Sequence, residues 1–390
     1  MLQFREEATP TPTTSTPSTL GIVYFTSTEV ITINGGVTNN HVTIAPQTIQ
    51  IAIPTCLQTI TPDKNGYVPP GTCNALWDYY PSFGAALVFA ILFGILILVH
   101  IWQAVAYKKK FCWVIIMAAF WETIAFTFRA LSTRRQQNVA IYLVFQIFIL
   151  LAPLWVNAFD YMVLGRLIHF FAPGHTLFSI PASTLAAGFV SLDFVSFVIQ
   201  LVGGSWAGPT ASKARQMQGI HVYMGGIGLQ QFFILVFVGL AIKFQREVTK
   251  TEKHQIPAAT SAKEWRPLLY ALYATLGLIT VRIMFRLVQF SSGSTSSNPL
   301  VSSEACFYLL EAVPMLLALL CFNIKHPGTV LVGPESELPG FMATVKTTWL
   351  KKKTVRSVGQ TLQGGEFHEL PTRTHYPSTL TASGRYERLN

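Results

Sequence analysis

Apolar residues dominate the middle of the chain, where long hydrophobic runs recur from residue 84 onward. Each run contains about 20 residues or more, the length that an α-helix needs to cross the hydrocarbon core of a bilayer. The runs cover residues 84–106, 111–131, 138–164, 178–202, 219–242, 267–290 and 303–323. The pattern therefore predicts an all-α membrane protein whose seven transmembrane helices form one bundle.

The two ends of the chain differ from this middle part. Residues 1–79 begin with a Thr, Pro and Ser-rich stretch and continue with short β-like patterns. Residues 329–390 are rich in Gly, Ser and Thr and include the basic run Lys351–Lys353, a composition typical of a disordered tail. We expect an N-terminal region at 1–79, a membrane domain at 80–328 and a basic tail at 329–390.

Composition and charge agree with membrane insertion and predict an orientation. Of the 390 residues, 51% are hydrophobic and only 12% are charged, which is about half the charged fraction of a soluble protein. The net charge is +10, and about two thirds of the 28 Lys and Arg lie in segments on the same side as the C-terminus. Cytoplasmic segments carry an excess of Lys and Arg. We therefore predict that the N-terminus lies outside and the C-terminus in the cytoplasm, and the basic excess gives no reason to expect nucleic-acid binding.

The five cysteines fall into two groups. Cys56 and Cys73 lie in the N-terminal region and could pair in an oxidising compartment. Free, buried thiols are expected for the three that lie in or beside apolar runs, namely Cys112, Cys306 and Cys321.

Polar and charged residues inside the runs follow helical spacing. Glu122 and Arg129 are two turns apart in the second run, and Arg282 and Arg286 are one turn apart in the sixth. Similar positions are held by His100, Asp193, Gln200, Glu304, Tyr308 and Glu311. A charge at the bilayer centre costs about 2.5–3.5 kcal/mol, so such side chains usually face the bundle interior and have partners. The spacing predicts a bundle with a polar interior.

These intramembrane charges leave three interpretations open. Glu122/Arg129 and Arg282/Glu311 could be structural ion pairs that hold helices in register. The same residues could instead line a polar substrate pocket or path. Side chains near the helix ends, with Asp160 and Glu304 as examples, could reach the membrane surface and face lipid.

Prolines and glycines within the apolar runs lead to two further predictions. Pro153 and Pro314 are predicted to bend their helices and to free backbone carbonyls. Gly225, Gly226 and Gly228 in the fifth run are predicted to permit close helix approach.

Several functional classes receive no support. The seventh run contains no Lys for a retinal Schiff base, and the chain contains neither a phosphate-binding G-x-x-x-x-G-K-[ST] sequence nor an H-E-x-x-H zinc motif. We therefore predict a protein that is not an enzyme and that has no metal or other cofactor.

The ordered motifs of the membrane domain resemble those of a known family. Residues that carry the resemblance are Tyr80-Pro81-Ser82, His100, Glu122 with Arg129, Ala152-Pro153, Leu164-Gly165-Arg166, Asp193, Gly203-Gly204, Arg282 to Arg286, Glu304, Tyr308, Glu311, Pro314 and His326-Pro327-Gly328. Over residues 79–328 the chain resembles the fungal lipid-translocating exporters, the RTA-like or "resistance to aminocholesterol" proteins. It departs from their pattern at Ala125, Phe126 and Gln289, where Gly, Tyr and Glu are usual.

The resemblance implies a seven-span fungal protein of the plasma membrane, with its N-terminus outside. Family members are linked to export or transbilayer movement of sphingoid long-chain bases and to resistance against toxic sterols and drugs. The implied partners are membrane lipids, sphingoid bases or sterol-like amphiphiles; the basic tail could also touch anionic lipid or simply be solvated. The resemblance specifies no oligomeric state.

A lipid translocator would use these residues in a defined way. A sphingoid base has a cationic amine, which Asp193, Glu304 and Glu311 could meet while the chain stays in lipid. Arg129, Arg282 and Arg286 would then organise the carboxylates or, in the reverse arrangement, meet a lipid phosphate. The alternatives are a seven-helix receptor or membrane stress sensor without transport activity, and a scaffold held by structural ion pairs.

Overall fold

The structure is a computed structural model, and it describes residues 23–33, 38–39, 42–43, 47–57, 60–70, 72, 75–172, 176–177, 180–207, 213–254, 265–291 and 303–333. Within these ranges, seven helices are long and apolar enough to cross a membrane, so the predicted fold class is confirmed. Cys73 and residues 334–390 lie outside the described ranges. The Cys56–Cys73 pairing and the expected disorder of the tail therefore stay predictions. Cys112, Cys306 and Cys321 are free thiols as predicted, but only Cys112 is fully buried.

The N-terminal region contains the predicted β-structure. Strand β1 (Val23–Ile33) pairs antiparallel with β4 (Gln47–Leu57), and the register runs from Val23 opposite Leu57 to Ile33 opposite Gln47. Two short strands, β2 (Thr38–Asn39) and β3 (Val42–Thr43), pair with each other in the connection. Alternating β-branched residues favour this extended structure.

Seven long helices follow. Their bounds are Phe83–Ala106 for α1, Trp113–Arg134 for α2, Val139–Phe171 for α3, Ala182–Trp206 for α4, Lys213–His254 for α5 and Trp265–Ser291 for α6. Helix α7 consists of an α-helical turn Glu304–Phe307, a π-helical turn Tyr308–Ala312 and an α-helix Val313–Ile324. The one-turn helix α8 spans Pro327–Val330. A two-residue hairpin, β5 (Thr176–Leu177) with β6 (Ile180–Pro181), joins α3 to α4.

Helices α3 and α5 extend beyond the apolar runs that predict them. Helix α5 continues to His254 through a polar segment of good helix formers such as Gln245, Arg246 and Glu247. Polar residues of this type keep high helix propensity outside the membrane. Hydrophobicity locates the span, but it does not locate the end of the helix.

The helices pack in chain order, and α3 lies at the centre. Each helix from α1 to α7 contacts the next, α1 contacts α7, and α3 also contacts α5, α6 and α7. The outer surface of the bundle is apolar, with Trp102 on α1 68% exposed. A large apolar side chain in that position requires lipid around it.

Small residues allow α4 and α5 to approach closely. A Cβ at Gly203 would lie 2.4 Å from the backbone nitrogen of Tyr223, and one at Gly226 would lie 2.8 Å from the side chain of Gln200. Gly225 and Gly228 face open space. The predicted close approach is therefore correct at Gly226 and wrong at the other two glycines, since they lie on different faces of the helix.

Candidate functional site

A buried ion cluster joins α6 to α7. The Glu311 carboxylate accepts from Arg286 Nε at 2.9 Å and from Arg286 Nη2 at 2.7 Å, and Arg282 Nη2 contacts the same carboxylate. All three side chains are almost fully buried. The Arg282/Glu311 ion pair, one of the alternatives that the sequence leaves open, therefore forms, with Arg286 as a second cation. Glu311 lies in the π-helical turn, a distortion that often accompanies functional sites.

Pro153 supplies a further acceptor to this cluster. A proline has no N–H, so the carbonyl four residues earlier, on Ile149, loses its helical donor. That carbonyl accepts from Arg282 Nη2 at 2.6 Å. Pro153 therefore frees a backbone carbonyl, as predicted, and that carbonyl holds the guanidinium group of Arg282 by a hydrogen bond.

Glu122 on α2 lies near the cluster without joining its hydrogen bonds. The side chain is only 1% exposed, and neither carboxylate oxygen has a hydrogen-bond donor among the described residues. Its electrostatic neighbours are Arg282, Arg286 and Glu311. The predicted Glu122/Arg129 pair does not form, although both residues share one face of α2, because Arg129 lies two turns nearer the other helix end.

Arg129 is held in an aromatic enclosure instead. It donates to Tyr308 Oη at 3.1 Å and to Tyr79 Oη at 3.0 Å, and its Nη2 lies 3.3 Å from Glu304. The guanidinium carbon lies 3.9 Å from the ring centroid of Phe307, a cation–π distance. Further rings within 5.2 Å of it belong to Trp77, Phe145 and Tyr308.

Glu304 connects the beginnings of two helices. Its two carboxylate oxygens accept from the backbone N–H of Ser82, the N-cap of α1, at 2.9 and 3.0 Å. Its side chain is 19% exposed and also pairs with Arg129. A carboxylate at a helix N-terminus is stabilised by the helix dipole. Glu304 is therefore held by Ser82 and Arg129 inside the bundle, and the alternative of a lipid-facing side chain is wrong.

The other predicted site residues lie in separate polar contacts. Asp193 accepts from Asn157 Nδ2 and Tyr161 Oη, both at 2.8 Å. Gln200 Nε2 donates to Gln230 at 2.9 Å. Asp160 is fully buried and accepts from Thr275 at 2.9 Å, so the alternative of a lipid-facing Asp160 is wrong as well.

His100 lies away from these carboxylates, toward the opposite end of the bundle. Its electrostatic neighbour is His326, beside α8. The Nε2 atom of His326 lies 3.4 Å from Cys112 Sγ. No three His, Cys, Asp or Glu residues among the described part of the chain are placed to hold a metal ion.

Two adjacent cavities lie at the bundle end where α1 begins. The larger, of about 450 Å³, is mainly apolar and lies between α3, α4, α5 and α6. Leu143, Ile147 and Leu201 line it and are exposed, so it opens on the lateral surface of the bundle. The smaller, of about 60 Å³, is polar and lined by the segment before α1 together with Arg129 and Gln289. Tyr142, Gln146 and Arg286 line both cavities.

The segment before α1 contributes an acidic residue to the smaller cavity. Asp78 lines it, and burial raises the pKa of this carboxyl above its ordinary value. The segment itself is ordered by Asp63, whose carboxylate accepts from the backbone N–H groups of Tyr67 and Asn65 at 2.8 Å. Both bonds lower the pKa of Asp63, and the bond from the Tyr67 N–H has the larger effect.

The structure brings only part of the predicted set together. Arg286 and Gln200 line the larger cavity and Arg129 and Arg286 line the smaller, whereas Asp193, Glu304 and Glu311 line neither. Sequence reasoning missed Trp77, Asp78 and Tyr142. Tyr142 and Gln146 are four residues apart in the third run, a spacing that could have placed them on one face. Nothing in the periodicity of the helices marks Trp77 or Asp78, since they precede α1.

Comparisons with known proteins add the following. Residues 115–333 match the family described as RTA1 like protein. The chain is 47% identical over 295 residues to "Probable lipid transporter atnI" of Emericella nidulans, covering 74% of this chain and 77% of that protein. It is 29% identical over 286 residues to "Lipid-translocating exporter-like protein RTA1" of Leptosphaeria maculans, covering 67% of this chain and about half, 52%, of that protein. It is 24% identical over 291 residues to "Sphingoid long-chain base transporter RSB1" of Saccharomyces cerevisiae, covering 66% and 75%. No solved structure matches the chain.

Proposed function

Because the chain belongs to the RTA1-like protein family, we propose that it moves an amphiphilic lipid between the two leaflets of its membrane. The observation that carries the proposal is the pair of adjacent cavities, one polar and one apolar, that share Tyr142, Gln146 and Arg286. The polar head of an amphiphile matches the polar cavity, and its apolar tail matches the apolar cavity. The relatives named as transporters and exporters support lipid transport, and they fit a protein without catalytic activity.

The substrate class that we propose is a sphingoid base or a sterol-like amphiphile with a polar or cationic head. The head would lie in the smaller cavity, where Asp78 supplies a negative charge and Gln146 and Gln289 supply amide groups. The tail would lie in the larger cavity and reach lipid through its lateral opening. A cationic head and the aromatic walls of the smaller cavity attract each other.

The predicted site residues then act at different distances from the substrate. Arg286 contacts it, since this side chain lines both cavities. Glu311 and Arg282 act through Arg286 as positioning residues, and Glu304 and Tyr308 act through Arg129 in the same way. Asp193 and His100 would serve a later stage of the path, because both are buried away from the two cavities.

Orientation and location complete the proposal. With the N-terminus outside, both cavities lie in the outer half of a plasma-membrane protein. Export of a toxic base or sterol from that position would confer resistance to it. The division into an outer region at 1–79, a membrane domain at 80–328 and a cytoplasmic tail at 329–390 is part of the same proposal, as is the contact of the basic tail with anionic lipid.

The decisive test is transport of labelled sphingosine by the purified full-length protein in liposomes. Gly204 lines the larger cavity, and a Cβ there meets no atom within 4 Å, so Gly204→Leu adds an apolar side chain at the cavity wall without a clash at its Cβ. Gly225→Leu is the matched control, because Gly225 is also an exposed helical glycine with open space but lies outside both cavities. We expect Gly204→Leu to slow sphingosine movement at least tenfold and Gly225→Leu to leave it unchanged.

Two results would contradict the proposal. Equal transport by both variants would show that the larger cavity is not on the path. Absence of any lipid movement by the wild-type protein, together with ligand-dependent binding of a cytosolic partner, would favour the seven-helix receptor instead.

A further inference from the structure

Glu122 is a buried acid that the proposed transport path does not use. It lies within a helix that spans the bundle, it is 1% exposed, and both of its oxygens lack a hydrogen-bond donor among the described residues. Transfer of an ionised carboxylate into a low-dielectric interior without donors is so costly that the group takes up a proton instead. This arrangement is unlike that of Glu311, which receives three contacts from two arginines.

The surroundings of Glu122 contain an unused donor as well. Arg282 gives Nη2 to Glu311 and to the Ile149 carbonyl, but its buried Nε has no acceptor among the described groups. Arg282 is also the strongest electrostatic partner of Glu122. The cluster therefore holds an acid without a donor and a guanidinium N–H without an acceptor.

We infer that Glu122 is a proton-binding site that exchanges its proton for a cationic amphiphile at the neighbouring cavities, so that lipid movement is coupled to proton movement. This inference rests on the proposed function for the identity of the amphiphile. With Glu122 protonated, Arg282, Arg286 and Glu311 leave a net charge of +1. When a cationic head binds beside Arg286, that excess repels it, and ionisation of Glu122 brings the cluster to zero. The released proton passes to water, and Arg282 becomes the counter-ion of Glu122.

No other charge in the described region replaces this function. The groups that act on Glu122 are Arg282 and Arg286 on α6 and Glu311 on α7. The ionisable side chains on α1 and α3, the helices packed against α2, are not among these groups; they are His100, Tyr142, Asp160, Tyr161, Arg166 and His169. Five of them have neighbours of their own, namely His100 with His326, Tyr142 with Gln146, Asp160 with Thr275, Tyr161 with Asp193, and Arg166 with Phe111.

The proton can be observed directly by infrared difference spectroscopy of the full-length protein in lipid nanodiscs. We expect the wild-type protein at neutral pH to show a carboxylic-acid C=O stretching band that is missing in Glu122→Gln. Glu304→Gln is the matched control, because the Glu304 carboxylate, unlike that of Glu122, accepts hydrogen bonds from Ser82 and Arg129. Addition of sphingosine should reduce the band in the wild-type protein.

The coupling has a separate readout in sphingosine affinity. Release of one proton per bound cation predicts that the wild-type Kd improves by about tenfold per pH unit relative to Glu122→Gln, over the range in which Glu122 is protonated. The comparison with Glu122→Gln removes the titration of the sphingosine amine itself, since that is common to both proteins. Equal pH dependence in the two proteins, with sphingosine bound, would overturn the coupling.

The remaining outcomes separate this inference from the proposed function. If the carboxylic-acid C=O band has the same intensity in the wild-type protein and in Glu122→Gln, Glu122 is ionised and the proton site is overturned. A band without sphingosine binding would support the proton site and refute the proposed substrate. Glu122→Gln and Glu122→Met lose no hydrogen bond, so both should fold; failure of both would make Glu122 a structural residue and overturn the inference.

Discussion

Replacement of Glu311 by Gln tests the central ion cluster most severely. The carboxylate receives two hydrogen bonds from Arg286 and one contact from Arg282, and all three side chains are buried. Glu311→Gln leaves two guanidinium groups in one buried site without their shared counter-ion. Removal of one partner from a buried ion pair costs about 3–5 kcal/mol. We expect a loss of that size in the free energy of unfolding.

The structure also predicts how this loss depends on Glu122. Glu122 lies beside Arg282 and Arg286 and can ionise to replace the missing charge, so the single variant should lie at the lower end of the range. Glu122→Gln alone should change stability by less than about 1 kcal/mol, because no hydrogen bond is lost. The double variant should then be less stable than the sum of the two single effects, which is the sign of coupling between neighbours.

The assay is unfolding of the purified variants in mixed micelles with increasing SDS, followed by tryptophan fluorescence. Glu247→Gln serves as the control, because Glu247 and its partner Lys243 are 40% and 35% exposed, and an exposed ion pair of that kind contributes about 1 kcal/mol or less. If Glu311→Gln and Glu247→Gln lose the same stability, or if the double variant is strictly additive, the reasoning about a shared buried counter-ion is refuted.

Three further predictions concern other parts of the molecule. Gly203→Leu would place a Cβ 2.4 Å from the Tyr223 nitrogen and should destabilise the α4–α5 contact by about 1–3 kcal/mol or prevent folding, in contrast to Gly204→Leu; thermal unfolding separates the two. Since burial raises the pKa of Asp78, its negative charge disappears as the pH falls through that raised value, so sphingosine affinity should decline more steeply there in the wild-type protein than in Asp78→Asn. The pKa of Asp63 is lowered by the N–H bonds of its loop, so its contribution to loop order is complete above the ordinary value of 3.8 and is lost as the pH falls through the lower folded value; the protection of the amides in residues 60–70 against hydrogen exchange, taken relative to the intrinsic exchange rate at each pH, should fall only there.

Much of the membrane domain follows from local pattern. Long apolar runs must be helical in lipid, because every backbone N–H and C=O needs a partner within its own segment. This is why the seven spans could be predicted, and why Pro153 could be expected to release a carbonyl. The buried state of Glu122, Asp193 and Glu311 also follows, since a charge facing lipid is too costly.

Which polar residues meet depends on helix packing, and periodicity does not contain that information. Glu122 and Arg129 share a face of α2, yet Arg129 pairs with Glu304 on α7, 175 residues away. The carboxylate of Glu122 has no hydrogen-bond donor among the described residues. The Arg282/Glu311 pair, which the spacing left open, does form, and Glu311, which lies in the π-helical turn of α7, also accepts from Arg286.

The sequence by itself therefore determined the class of the molecule: seven spans, polar stripes turned inward and a family resemblance confirmed by the RTA1-like match. Only the tertiary structure decided the site. It placed Tyr142, Gln146 and Arg286 between a polar and an apolar cavity, and it left Glu122 without a donor. The physical reason is that transfer from water to lipid acts on each segment separately, whereas hydrogen bonds and ion pairs between helices depend on the rotation and depth at which the segments pack.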